Sequence, residues 1–333
     1  MHWGRWGKWT ELWRSQPSMY TEFLPASLAR AANQGYKGAR WGKMSDPSGR
    51  SSPAAPSADI DAFLIWQQPH PTYFAEVEWR AFPTYKQRTL NRWDEIVTET
   101  ANFMASFAWY NSTTGVYDLG PPVYTASETT DAYVTINPTF EIEYWRFGLD
   151  IAKRWKLRQG QPVPQAWQDV LDKLAPIYVD EYGTFPTYEG IPGMWTDPST
   201  TNSHPMMAGI YGILPPPVSG PPLNMTVVQN TADKILSTWQ LTGAWGWDFP
   251  LLAMNSLRLG DIDQAMDYLL YPAYQFDDAG YPLGGSAVPT PYMPASGSLL
   301  MAVAMMAGGW DGAVGPHFPA AWDVTCEYFL PAM

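Results

Sequence analysis

A single cysteine, Cys326, leaves the chain without an internal disulfide and without a multi-thiolate zinc site. Histidine is also scarce. His2, His70, His204 and His317 show no HExxH or paired-ligand spacing, which argues against a transition-metal site. Basic residues number 20 against 32 acidic ones, a formal charge of −12, and no Lys/Arg cluster is present to displace counterions from a phosphate backbone. Nucleic acid is therefore not an expected partner. The most apolar stretch, residues 298–307, is too short to cross a bilayer, so a soluble protein without a membrane partner is expected. Nucleotide signatures are missing: PLGGS at 282–286 and AGGWDG at 307–312 fit neither GxGxxG nor GxxxxGKS/T. SGS at 296–298 lacks the second glycine of a GxSxG elbow.

Apolar side chains are plentiful. They make up 46% of the 333 residues, enough for a substantial core, and aromatics reach 15% with 18 Trp and 19 Tyr, more than core packing usually needs. Most of these rings are expected to pack between helices. The remainder have apolar faces and polar edges that suit pyranose rings. The N-terminal MHWGRWGKWTELWRSQ carries Trp3, Trp6, Trp9 and Trp13 at helical spacing and resembles neither a signal peptide nor a solvated tail, so upstream sequence is expected. Sequons at Asn111 and Asn224 permit glycosylation if the protein is secreted, and the compartment stays open between cytoplasm and exterior. Nothing in the sequence fixes the oligomeric state.

Periodicity predicts helices over 19–34, 71–80, 92–109, from Pro138 past Trp155, and over 164–174, 205–211, 224–239, 249–259, 262–270 and 294–306. Gly35 is placed to cap the first, and proline opens several others. No strand-length alternation of period two is present. The long intervening segments 42–60, 183–203 and 277–294 are the kind that carry function. An all-α chain of helical hairpins with long loops describes an (α/α) toroid, a single domain over residues 1–333; no short repeat supports a solenoid. Met301, Met305 and Met306 fall at helical spacing and read as core.

Several segments carry a family resemblance: GYKGARWGKMSDPSGRSSP (35–53), LIWQQPHPTYFAEVEWRA (64–81), YDLGPPVYTASETT (117–130), NPTFEIEYWRFGL (137–149), WGWDFPLLAMNSLRLG (245–260) and PYMPASGSLLMAVAMMAGGWDG (291–312). In this order they resemble six-hairpin glycosidases of the glycoside hydrolase family 65 and family 95 type, whose catalytic domains are (α/α)6 toroids. The resemblance implies a glycoside hydrolase of inverting mechanism that needs no cofactor and acts on a carbohydrate or glycoconjugate. It also implies acid-rich sequence ahead of the present N-terminus. The family usually has proline where Gly42 stands.

By that resemblance Glu128, in the loop between Gly120 and Asn137, is the general acid. Val123, Tyr124, Ala126 and Tyr133 are the neighbours expected to desolvate it. The alternative is an exposed loop glutamate beside Ser127 and Thr129. The second carboxylate is expected at Asp248, crowded by aromatics in WGWDFP, with helix N-capping an equal alternative. An inverting pair would lie roughly 6.5–9.5 Å apart. Glu141 is the runner-up; Glu143 faces another way on the same helix. Arg40, Trp41 and Lys43, together with Trp66, Gln67, Gln68 and His70, supply donors, amides and rings for binding sugar. His70 has the alternative of a helix-start residue bonded to backbone. His204, in a second His-Pro step, and Trp247 complete the substrate-binding set.

The leading alternative is a non-catalytic carbohydrate-binding protein of the same fold that has lost its base. An isoprenoid cyclase toroid would need an Asp-rich metal motif or a DxDD acid, and neither is present.

Overall fold

The computed structural model describes residues 7–51, 59–285 and 288–333. Chain contacts gather most of it into two compact units, residues 5–177 with 217–222, and residues 178–216 with 223–333. Trp3 and Trp6 lie outside the described residues, as do the side chains of Trp9 and Trp13.

Unit one contains α1 (Gly7–Asn33), α2 (Asp59–Phe63), α3 (His70–Ala81), α4 (Lys86–Phe107), α5 (Thr139–Arg158) and α6 (Gln165–Lys173). α1 starts well before the expected residue 19 because it continues through Pro17 and Pro25. Each proline removes one amide from the helical ladder. Packing of Tyr20, Leu24 and Ala31 into the core offsets that loss. The helix ends as its sequence predicts: Gly35 takes φ +84°, and the Tyr36 amide donates to the Ala31 carbonyl at 2.8 Å. α4 also begins early, after a 3-10 turn at Pro83–Tyr85.

α4 is the central element of this unit, packing against α1, α3, α5 and α6. Four indoles fill the surrounding space, and each has an acceptor for its N–H. Trp93 donates to Glu78 Oε2 at 2.6 Å, Trp145 to the Met104 carbonyl at 2.9 Å, Trp155 to the Leu90 carbonyl at 3.3 Å and Trp167 to Asn102 Oδ1 at 3.0 Å. Much of the aromatic surplus is thus core packing, and the polar edges of these four rings are satisfied. A short hairpin of β1 (Trp109–Asn111) and β2 (Val116–Asp118) was not visible as alternation, since strands of three residues are too short to show a period.

Unit two contains α7 (Met225–Thr238), α8 (Asp248–Leu259), α9 (Ile262–Leu269), α10 (Met293–Gly308) and a second minimal hairpin, β3 (Gly309–Trp310) with β4 (Ala313–Val314). The expected helix at 205–211 is a 3-10 turn, Met206–Tyr211. α8 is buried along nearly its whole length, as its near-continuous apolar run requires, and packs against α9 and α10. Phe249 stacks against Tyr271 and Tyr274, with centroids 5.2 and 5.4 Å away. Met305 packs in a small cluster with Met254, Ala302 and Ala332, with Met301 against it.

Candidate functional site

In unit one the candidate residues fall into a strap and a loop. The strap is segment 39–43. Gln68 accepts the Trp41 amide at 3.0 Å and donates to the Ala39 carbonyl at 2.6 Å, while Gln67 donates to the Trp41 carbonyl at 3.1 Å. The Trp41 indole donates to Thr100 Oγ1 at 2.9 Å and meets Tyr20 edge-on. Arg40 Nη2 donates to the carbonyls of Ala62 and Leu64 at 2.5 and 3.2 Å, and its guanidinium lies over Phe103 and Phe107. Burial lowers its pKa to about 10. These contacts correct the expectation that Arg40, Trp41, Gln67 and Gln68 present themselves to a ligand. All four are buried, and they brace the chain that ends in half-buried Lys43.

His70, the first residue of α3, bonds through Nδ1 to Tyr144 Oη at 2.9 Å, a side-chain partner in place of the backbone one considered above. Its ring lies 4.9 Å from Trp66, 5.6 Å from Tyr144 and 6.1 Å from Phe74. Burial among these rings lowers its pKa to about 4, so the imidazole is neutral at physiological pH. Tyr144 is the partner that sequence reasoning missed: 74 residues separate the pair, and one more tyrosine on an aromatic helix carries no distinguishing signal.

The loop 119–137 is closed by Asn137. Its Oδ1 accepts the Leu119 amide at 3.0 Å, its Nδ2 donates to buried Asp118 at 2.9 Å, and its own amide donates to the Leu119 carbonyl at 2.9 Å. Farther along, the Val123 amide donates to the Ala132 carbonyl and the Tyr124 amide to the Phe63 carbonyl. Glu128 ends a tight turn, its amide donating to the Thr125 carbonyl at 2.9 Å and its φ at +60°. Its carboxylate is half-buried and pairs with Lys43. Val123 and Ala126 are buried. Tyr133 is not the cover anticipated, since 64% of it is exposed and its ring meets Phe63 edge-on.

Glu141 lies below this loop, in the first turn of α5. Its Oε1 accepts the Ala126 amide at 2.6 Å. Burial pushes its pKa up to about 7, against the lowering effect of hydrogen bonds from its own amide and that of Ala126. Glu143, as expected, faces elsewhere and pairs with Arg146 at 3.5 Å.

Unit two holds the remaining candidates. Trp247, not Asp248, is the N-cap of α8, so the capping alternative for Asp248 does not hold. Asp248 is fully buried, accepts the Trp245 amide at 2.9 Å and bonds His204 Nδ1 at 2.7 Å. Burial raises its pKa, and His204 and the Trp245 amide act against that rise. The His204 ring lies between Trp245 and Trp247, at 5.3 and 4.5 Å, and Trp245 contacts Tyr292. This is an Asp–His dyad set among half-buried rings. A separate cleft of about 620 Å³, lined by residues including Trp310, Cys326 and Tyr328, contains none of the candidate residues. Among the described residues, no three His, Cys, Asp or Glu side chains group as a metal site, and no helix is long and apolar enough to cross a membrane.

No family model matches the chain, and no curated protein does. A solved structure described as "Putative kojibiose phosphorylase from human microbiome" matches with a TM-score of 0.62 at 12% identity, over 86% of this chain and 45% of that one. At that identity the likeness shows the fold alone: the all-α, six-hairpin glycosidase-like class that the sequence motifs implied. The chain spans less than half the length of the structure it matches.

Proposed function

We propose that the chain is a carbohydrate-active enzyme that cleaves a glycosidic bond, with Glu128 giving its proton to the leaving oxygen. The setting of Glu128 carries the reading. A glutamate in left-handed backbone costs roughly 1–3 kcal/mol and persists only where its surroundings over-determine it, a kind of cost that gathers at functional sites. Here the loop is tied at its ends by Asn137 and from below by Glu141, and the carboxyl is left half-buried against Lys43. Donation requires a protonated carboxyl, so in this mechanism the incoming sugar displaces the Lys43 ammonium from Glu128. The shared fold with a protein described as a kojibiose phosphorylase supports a sugar substrate. Hydrolysis is the reaction we favour, from the motif resemblance. Phosphorolysis is the second reading, and that description favours it.

The test compares wild type with Glu128→Gln on aryl glycosides and disaccharides, with and without inorganic phosphate, reading free reducing sugar and sugar 1-phosphate. Hydrolysis predicts phosphate-independent release and a loss of about 10²–10⁴-fold in the variant. Phosphate-dependent formation of sugar 1-phosphate would make the reaction phosphorolysis. Equal turnover by both proteins would remove Glu128 from the mechanism, and sugar binding without turnover by wild type would identify a non-catalytic binding protein.

A further inference from the structure

We propose that Glu141 is the positioning residue for Glu128, acting through the backbone amide of Ala126. The proposal rests on the reading of Glu128 as proton donor and adds to it the element that aims that carboxyl. Ala126 lies two residues before Glu128 in the turn closed by the Thr125 carbonyl and the Glu128 amide, and both Ala126 and Ser127 are buried. The Ala126 amide is held at 2.6 Å by Glu141 Oε1. Glu141 in turn belongs to the first turn of α5, one of the best-packed elements of unit one, whose N-cap Pro138 offers no side-chain acceptor. A rigid helix therefore grips the turn at its buried side while the turn presents Glu128 at its half-buried side. Without the carboxyl, a buried amide would lose its acceptor, and the turn would have to move to find another. Asn137 cannot substitute, because its bonds go to Leu119 and Asp118 at the loop's ends.

An apolar side chain would fill the Glu141 site without the penalty of burying a carboxyl. The acid at this position, its pKa raised to about 7 by that burial, meets the burial with hydrogen bonds from two amides, its own and that of Ala126.

Glu141→Leu removes the acceptor, Glu141→Asp withdraws it by one methylene, and Glu141→Gln keeps it at the same reach. The test measures kcat and KM for all three, together with hydrogen exchange at the Ala126 and Glu128 amides and the thermal midpoint. We expect kcat to fall about 10–100-fold in the Leu and Asp variants with KM changed less than about threefold, and Gln to restore kcat to within about threefold. Ala126 exchange should quicken in Leu and Asp only. Should the Leu variant not fold, the contrast of Asp with Gln decides. Wild-type kcat in Leu or Asp, or equal losses in Asp and Gln, would overturn the proposal. If instead Glu128→Gln turns over as wild type does, the donor reading fails, and normal Ala126 exchange in the Asp variant would then remove the brace as well.

Discussion

Glu76 and Arg158 meet through two hydrogen bonds, Arg158 Nη1 to Oε2 at 2.5 Å and Nη2 to Oε1 at 3.0 Å. Arg80 adds a bond to Oε1 at 3.1 Å and Arg154 approaches to 4.0 Å, so one buried carboxylate gathers guanidinium groups from α3 and α5. Burial alone would raise the Glu76 pKa; Arg158 and its neighbours outweigh it and hold the group below the usual carboxylate range. The Arg158 guanidinium also lies 3.6 Å above the Trp79 ring, which fixes its plane. Glu76→Gln would leave Arg158 and Arg80 without their carboxylate, while Arg154 keeps Asp150, at an expected cost of about 3–5 kcal/mol at pH 7 in urea unfolding. Because the folded pKa is depressed, the deficit should narrow as pH falls below the unfolded carboxylate value. A variant as stable as wild type would show that the network adds nothing.

Gly38 has φ +73°, and a Cβ there would lie 2.3 Å from the Glu99 carbonyl oxygen and 2.3 Å from the Phe103 amide, both backbone atoms of α4. Neither can yield without breaking the helix that the 39–43 strap leans on. Gly38→Ala should cost more than about 3 kcal/mol in chemical denaturation. Gly35, at φ +84° with open space around it, supplies the control: its alanine variant meets only backbone strain, about 1–2 kcal/mol. Equal losses at the two positions would mean that the close approach to α4 is relieved by a shift.

The helices were legible because their signals are local. Apolar periodicity, proline at helix starts and Gly35 at a helix end placed α3, α5, α6, α7, α8, α9 and α10 to within a few residues. α1 and α4 begin earlier than periodicity predicts: α1 runs on through Pro17 and Pro25, and α4 starts at Lys86 directly after the 3-10 turn. The candidate site was legible only as a set of residue types. WQQPHP does bring amides and an imidazole together, yet composition cannot say which way a side chain points. Gln67 and Gln68 turn inward because the 39–41 backbone needs their bonds. The Glu141 bond to Ala126 and the Lys43 pairing with Glu128 join residues 15 and 85 positions apart, contacts that exist only once the helices have packed.

The Asp248–His204 bond makes a separate prediction in unit two. Asp248 is fully buried and has two donors, the Trp245 amide and the imidazole. His204→Ala deletes one of them, so the carboxyl's pKa should rise further and the folded state should lose stability as pH climbs above the unfolded carboxylate value. We expect a deficit of about 1–3 kcal/mol near pH 8 that shrinks toward pH 4.5. The double variant His204→Ala with Asp248→Asn has no buried carboxyl to titrate, so it lacks the wild-type loss from this site and its deficit against wild type should shrink as pH rises. A flat profile in the single variant would mean that Asp248 keeps its proton throughout.

Glu141 and His70, both in unit one, should act on stability with opposite signs. Glu141 ionises near 4.5 in the unfolded chain and about 7 in the folded one, so between those values the unfolded chain gives up its proton first and stability falls as pH rises. His70 titrates near 6.5 unfolded and about 4 folded, so its contribution is complete above 6.5 and is lost as pH falls toward 4. Each contribution has an upper limit of about 3 kcal/mol. Across the shared window from pH 4.5 to 6.5 these two contributions largely cancel each other in wild type. Glu141→Gln removes the first contribution and keeps the acceptor for Ala126, so its urea midpoint should gain on that of wild type from pH 4.5 to 7. His70→Gln removes the second, and its midpoint should fall relative to wild type as pH rises to 6.5. Two variants whose profiles run parallel to wild type would show that neither group changes protonation on unfolding, and that the cavity holding each of them is wetter than the packing around Trp66, Tyr144 and Ala126 implies.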